Sequence, residues 1–278
     1  MITSIVINSL TIGTVASGYL FDALNGFGGA DVKVSVKEKG AYHGANLGNY
    51  SYGKRGFSIE GRIFGNDTSD YASKRRALEQ AIDLYDGLQT ITINTKDGLT
   101  LQVDAIISSN FEASYEAGQA ILSNFRLELV APYPFIEGAT ENTETVPVHT
   151  GGGAEIPAEL PMEIGSGGTG ETTVTNDGNG KAYPTIKIYG AIENPSIKNA
   201  TRNETLSLTY TLASSTDYIE IDTYRRTVKL NGITNIRQYA SGEFFVLDAG
   251  DNTIRLSAGS SSAEAQAEII YRDSYIGI

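Results

Sequence analysis

The chain has 278 residues, 40% of them hydrophobic and 19% charged, a composition of folded domains and a length sufficient for two. Its formal net charge is −12, and division after Gly138 leaves 11 basic against 15 acidic residues, then 10 against 18, so neither part offers an excess of positive charge to phosphates or anionic lipid. The absence of cysteine excludes disulfides and thiolate metal sites, and no apolar run approaches the ~20 residues needed to cross a bilayer as a helix.

The opening, MITSIVINSLTIG, has no basic region ahead of its apolar residues, so a secretory signal is not expected. Short alternating stretches follow. Val32, Val34 and Val36 alternate with Lys33, Ser35 and Lys37, and Phe57, Ile59, Gly61 and Ile63 alternate with Ser58, Glu60 and Arg62. Leu99, Leu101, Val103 and Ala105 continue the pattern. A period of two predicts strands with one buried face, and such strands build a sandwich or a rolled sheet. Lys39 to Arg55, KGAYHGANLGNYSYGKR, reads as a long loop or a β-arm, because its glycines weaken any single strand.

One helix is expected from about Ser69 to Tyr85, with Tyr71, Leu78, Ile82 and Tyr85 on one stripe. Thr68 or Ser69 would cap it and Gly87 would end it. Lys74, Arg75 and Arg76 lie early while Asp83 and Asp86 lie late, against the helix dipole. A solvated face accounts for that arrangement, and a subunit contact is the sharper alternative.

In Ser123 to Gly138, Phe125, Leu127 and Leu129 share one face and Arg126 and Glu128 the other. Ala131-Pro132-Tyr133-Pro134 then removes two backbone donors and ends the ladder. This strand is read as the last of an N-terminal domain, residues 1–138, with the Pro-x-Pro exit as hinge. Residues 139–182 differ in kind. They carry the triplet Gly151 to Gly153 and the run Gly165 to Gly170, with six glutamates and no Lys or Arg between Ala139 and Glu171. A Gly/Glu-rich connector is expected there, with a short strand between Ile156 and Ile164 as an option. Strand patterns return over 183–278, from Ile186 and Ile188 to Ala265, Ala267, Ile269 and Tyr271, with turns at Asn231-Gly232 and Gly250-Asp251-Asn252. About eight short strands at this spacing predict a jelly-roll β-sandwich.

No motif in the chain carries chemistry. Gly165, Gly167 and Gly170 satisfy G-x-G-x-x-G, but Glu171-Thr172-Thr173-Val174-Thr175 after them favours a strand, where a dinucleotide site needs a helix. Asn176 to Gly180 lacks the twelfth-position glutamate of a calcium loop and reads as a hairpin turn. The only histidines, His43 and His149, have no spaced carboxylates to complete a zinc site. Four N-x-[ST] matches, at Asn49, Asn66, Asn199 and Asn203, mean little without an export signal. Catalytic, cofactor-binding and metal-ligating residues are therefore expected to be none, and the protein is read as a non-enzyme without cofactor.

Several runs, in order, resemble the distal tail proteins of siphophages and related tail-like particles. They are Gly53-Lys54-Arg55 into the strand Phe57 to Ile63, the helix, and Phe125-Arg126-Leu127-Glu128-Leu129 with its Pro-Tyr-Pro exit. Beyond the connector come Pro184 to Gly190, Asn194-Pro195-Ser196-Ile197, Ile221-Asp222-Thr223, Val228 to Gly232 and Tyr271 to Tyr275. The resemblance implies a mainly β chain whose N-terminal sandwich or rolled sheet, with one helix, closes into a sixfold homo-oligomeric ring. It implies a galectin-like jelly-roll sandwich at the C-terminus, projecting outward. It also implies a virion protein at the distal end of the tail, made in the host cytoplasm. The implied partners are the major tail protein, the tail-associated or tip protein and receptor-binding proteins, with no membrane and no specific nucleic acid. The alternative reading is a carbohydrate-binding module, with Tyr218, Tyr224, Tyr239 and Phe244 as a flat aromatic surface in a chain without tryptophan.

Overall fold

Strands dominate, as the alternating patterns require, and the chain is mainly β with one α-helix among the described residues. The computed structural model describes residues 1–40, 42–109, 111–115, 121–149 and 170–278. Met1–Ala139 with Tyr275–Ile278 form one unit, and Thr140–Ser274 form a second.

In the first unit β1 (Ile2–Ile7) turns tightly into β2 (Leu10–Ile12), followed by β3 (Tyr19–Asn25). Next come β4 (Val32–Glu38), β5 (Ala45–Tyr52), β6 (Arg55–Phe64) and α1 (Thr68–Ala81). The unit continues with β7 (Gln89–Thr95), β8 (Thr100–Ile107), β9 (Glu112–Tyr115), β10 (Leu122–Ala131) and β11 (Ile136–Gly138). The main sheet runs β2-β1-β7-β8-β10-β6-β3, and β8 meets β10 through only two residue pairs, Leu129 with Ile107 and Val130 with Ile106. That short seam lets the sheet roll. Ile5, Ile7, Ile91, Ile93 and Leu101 from one half share a single core with Phe57, Ile59, Ile63, Phe125, Leu127 and Leu129 from the other.

The expected helix exists but is shorter. Asp67 caps it, accepting from Asp70 N at 2.8 Å, and it ends at Ala81. A separate 3₁₀ turn, Leu84–Asp86, follows, so Tyr85 is not on the buried stripe but 96% exposed. Tyr71, Leu78 and Ala81 make the stripe, and Tyr71 donates to the buried Ser123 hydroxyl at 2.9 Å. The early cations are paired within the helix, Lys74 with Asp70 at 2.9 Å and Arg75 with Glu79 at 3.0 Å, which offsets part of their unfavourable placement. The first unit also does not end at β10. The strand β11 pairs with β8, and the last four residues of the chain return to it.

The second unit contains β12 (Asn142–Pro147), β13 (Glu171–Asn176), β14 (Thr185–Tyr189), β15 (Ile192–Glu193), β16 (Ser196–Asn199) and β17 (Glu204–Leu208). It continues with β18 (Thr211–Leu212), β19 (Tyr218–Asp222), β20 (Thr227–Leu230), β21 (Thr234–Asn235), β22 (Ala240–Gly242), β23 (Gly250–Ser257), β24 (Ser260–Ser261) and β25 (Gln266–Tyr271). A six-stranded sheet, β12-β25-β14-β19-β20-β21, and a five-stranded one, β13-β23-β16-β17-β22, bury a common core that includes Ile186, Ile188, Ile221, Ile254, Leu256 and Ile269. Asn231 and Gly232, both with positive φ, make the expected tight turn between β20 and β21.

The connector reading needs correction at both ends. Asn142 to Pro147 pair residue by residue with β25, and Glu171 to Asn176 with β23, so each end is a sheet strand. Val146 and Val174 are completely buried, which is the apolar signal that the glycines around them obscured. The option of a strand between Ile156 and Ile164 lies outside the described residues, as do Gly151 to Gly153 and Gly165 to Thr169.

Candidate assembly surface

The strands β4 and β5 form a two-stranded ribbon of their own, paired with no other strand among the described residues. The sequence pattern predicted that Val32, Val34 and Val36 would be half-buried in a sandwich. Instead every residue of both strands is exposed, and the β-arm alternative for Lys39 to Arg55 is the one realised. Val32 lies opposite Tyr52 and Val34 opposite Tyr50, while Val36 faces Leu47. Directly opposed residues share a face, so these six side chains make one continuous apolar side. Val34 is 51% exposed, Leu47 65% and Tyr50 72%.

A bulge creates that continuity. From Tyr50 to Leu47 the second strand advances three residues while the first advances two, from Val34 to Val36. Without the extra residue Gly48 would face Val36 and leave a gap; with it Leu47 is turned onto the apolar side. The reverse side carries Lys33, Ser35 and Lys37. An apolar ribbon face of this extent is costly in water and marks an interaction surface.

The root of the arm is firmly held. Asp31 N donates to Lys54 O at 3.2 Å and Gly53 N to Asp31 O at 2.7 Å, closing the ribbon at its base. Tyr52 stacks edge-on against Phe135 with centroids 5.4 Å apart. Arg55 follows and is fully buried. Its Nε donates to Pro134 O at 2.7 Å and its Nη1 to Gly26 O at 3.2 Å, while Nη2 donates to Ile276 O. The guanidinium also lies over the Phe57 ring, 5.8 Å from its centroid. No carboxylate pairs with it among the described residues, and burial lowers its pKa. One cation thus ties together the end of β3, the Pro-x-Pro segment and the chain terminus.

A second apolar group lies elsewhere in the first unit. Leu84, Tyr85 and Leu88 are all exposed, on the segment between α1 and β7. Beside them is an open groove of about 420 Å³, lined by Val6, Thr90 and Thr92 of the sheet, Asn8 and Ser9 of the first turn, and Asp86, Leu88 and Gln89. Its rim is fixed by side-chain bonds. Asn8 Nδ2 donates to Ala81 O at 3.2 Å and to Asp86 at 3.4 Å, and Asp83 accepts from Tyr85 N at 3.0 Å.

The sequence-level candidates in the second unit dissolve into structure. Asn176 to Gly180 is not a hairpin turn, since β13 and β14 belong to different sheets and the segment crosses between them. The Asn176 side chain is buried, donating to Gly180 O at 2.8 Å and accepting from Gly178 N and Ser274 N, so its oxygen is already used. The four aromatics of the carbohydrate reading are not brought onto one surface. Tyr218 pairs with Tyr189 at one end of β19, and Tyr224 pairs with Tyr183 beyond the other end. Tyr239 pairs with Tyr210 beside the opposite sheet, and Arg237 covers Phe244 with its guanidinium 4.7 Å from the ring centroid. Around Tyr218, the outward face of the larger sheet bears alternating charges, Glu268, Lys187, Glu220 and Lys229, in cross-strand register. His43 lies in the arm and His149 donates its backbone N–H to Leu256 O at 2.7 Å; no group of three metal-binding side chains occurs among the described residues.

The family described as siphovirus-type tail component, C-terminal domain, matches residues 177–275. The whole chain superposes on the SPP1 Dit protein (gp 19.1), described as a paradigm of hub adsorption apparatus in phages infecting Gram-positive bacteria, with a TM-score of 0.66 at 12% identity, covering 98% of each chain. A chain of the phage P2 baseplate in its activated conformation gives a TM-score of 0.42 at 10% identity, over 90% of this chain and 89% of that one. Among curated proteins no sequence matches. Residues 177–275 thus match the siphovirus-type tail component, C-terminal domain, and the chain as a whole has the fold of the SPP1 Dit hub protein.

Proposed function

We propose that this protein is the distal tail hub of a siphophage-type tail, a structural virion protein whose N-terminal units close into a sixfold ring between tail tube and tip. The observation that carries the reading is the arm: a rigidly rooted ribbon with six apolar side chains exposed on one side, within a chain that has a hub protein's fold from end to end. A ring of identical subunits gives such a face a partner at every position and leaves no open end. On this reading the major tail protein lies on one side of the ring and the tail-associated or tip protein on the other, and the second unit presents its outer sheet to receptor-binding components. The chain acts by holding these parts and not by catalysis.

Purified protein should be examined by light scattering and negative-stain electron microscopy, alone and with the neighbouring tail proteins. Rings are expected at least in the presence of those neighbours. Substituting Val34→Asp together with Tyr50→Asp should abolish them while leaving the melting temperature unchanged, because both side chains are already exposed. A strictly monomeric wild type under every condition would refute the reading.

A further inference from the structure

We infer that the arm of one copy seats its apolar face on the Leu84–Leu88 segment and adjoining groove of a second copy, head to tail. The inference rests on the ring reading above and names the surfaces that would make the ring.

Three observations point to this pairing. The first is that the unmatched apolar surface of the first unit gathers mainly in two places, six large side chains on the arm and Leu84, Tyr85 and Leu88 beside the groove. One is a projecting ribbon and the other borders an open groove that Leu88 lines, so a single heterologous contact would cover both, and repetition of that contact would generate a ring. Among the described residues the two surfaces do not cover each other within one copy. The arm's root is pinned by the Asp31–Lys54 bonds and by Arg55, and its side chains are exposed there.

The second observation is charge. Asp31 to Lys54 carries Lys33, Lys37, Lys39 and Lys54 against Asp31 and Glu38, a net positive arm in a chain of net charge −12. The segment 83–92 carries Asp83 and Asp86 and no Lys or Arg. Among the described residues none of Lys33, Lys37, Lys39, Asp83 or Asp86 is in an ion pair. Opposite patch charges orient encounter and disfavour arm-on-arm contact, where like charges would meet.

The third is preorganisation. Asp83 and Asp86 are held by Tyr85 N, Asn8 and Gln89, so the receptacle is fixed before the arm arrives and little ordering cost remains on that side.

The chain contains no cysteine, which makes a cross-linking test free of background. A double variant, Val34→Cys with Leu88→Cys, should be assembled with its neighbouring tail proteins and treated with a short bismaleimide. A ladder of covalent multimers is expected. A mixture of the two single variants should give dimers and no ladder. In parallel, Lys37→Glu or Asp86→Lys alone should raise the half-assembly concentration about 2- to 5-fold, and the two together should restore it to within about twofold. Melting curves establish that each variant folds. Rings visible by microscopy without the cross-linked ladder would overturn the pairing and leave the ring reading standing. Capture of the arm thiol by a tube or tip protein would do the same. Absence of any assembly in the wild type would overturn both.

Discussion

Replacing Arg55 by Met keeps most of the side chain's length and removes its donors. Three carbonyls, of Pro134, Gly26 and Ile276, then lose their partner in a place where no water reaches the wild-type side chain, which is 0% exposed. A hydrogen bond from a charged donor contributes about 1.5–3 kcal/mol, so losing three of them would reach several kcal/mol. Against this stands the relief of burying a cation without a carboxylate, whose cost is visible in its lowered pKa. The balance favours a net loss of about 3–5 kcal/mol, the lost charge-assisted bonds less the relief of the unpaired cation. For a unit of this size that is a fall of about 9–15 °C in melting temperature, at about 3 °C per kcal/mol. Arg55→Lys should recover only part of it, because an ammonium cannot reach three carbonyls on divergent sides. Melting by circular dichroism measures the fall, and deleting Ile276–Ile278 provides a second arm. If Arg55 acts through the terminus, deletion should cost less in the Met variant than in the wild type. A Met variant that melts within about 2 °C of wild type, or full additivity of the two changes, would refute the clamp.

Stability should fall between about pH 10 and 12. The Tyr19 phenol, buried first and near Asp70 second, and the Tyr271 phenol, buried first and near Asp273, Glu144 and Asp177, are both pushed up to about 12. Neutral tyrosine is therefore favoured in the fold, and this contribution, about 2–3 kcal/mol each, is complete below pH 10 and lost as pH rises through 12; denaturant titrations at stepped pH measure it. Asn176→Ala should destabilise the second unit by about 2–4 kcal/mol, since it empties a buried site bonded to Gly180, Gly178 and Ser274; urea titration checks this. Leu127→Ala, at a position with no exposure, should cost about 2–5 kcal/mol, whereas Leu47→Ala on the arm should cost under about 0.5 kcal/mol in stability yet impair assembly, which melting and light scattering separate.

Much of the fold is legible from local chemistry. Phe125, Leu127 and Leu129 lie buried in β10 as their spacing requires, and Asn231-Gly232 makes a turn in which both residues take positive φ. Where the reading fails, a competing local signal had the same appearance. The helical stripe of the sequence runs on to Tyr85, but Asp83 caps a new 3₁₀ turn, and a short polar side chain that bonds its own backbone breaks a helix as readily as a glycine. The glycines and glutamates of residues 139–182 suggested a linker, although Val146 and Val174 at its ends are core residues held by partners more than 70 residues away. Pairing over such separations leaves no local trace. The return of the last four residues to the first unit is equally invisible, since it depends on the buried Arg55 that receives them.

The arm shows the limit most clearly. Val32, Val34 and Val36 have the same alternation as Phe57, Ile59 and Ile63, yet the first set is exposed and the second is core. Alternation reports that a strand has an apolar face; it does not report what covers that face. For β6 the cover is the chain's own rolled sheet, and for β4 the described residues supply none. One signal does distinguish them. The apolar positions of β4 are matched across a glycine-containing connection by Leu47, Tyr50 and Tyr52, so the hairpin builds its whole apolar face from its own two strands within 21 residues, from Val32 to Tyr52. A two-stranded ribbon alone is marginal in water, and the frame here gives it a firm root without giving it a roof. On the ring reading proposed above, the cover for this face comes from another copy of the chain.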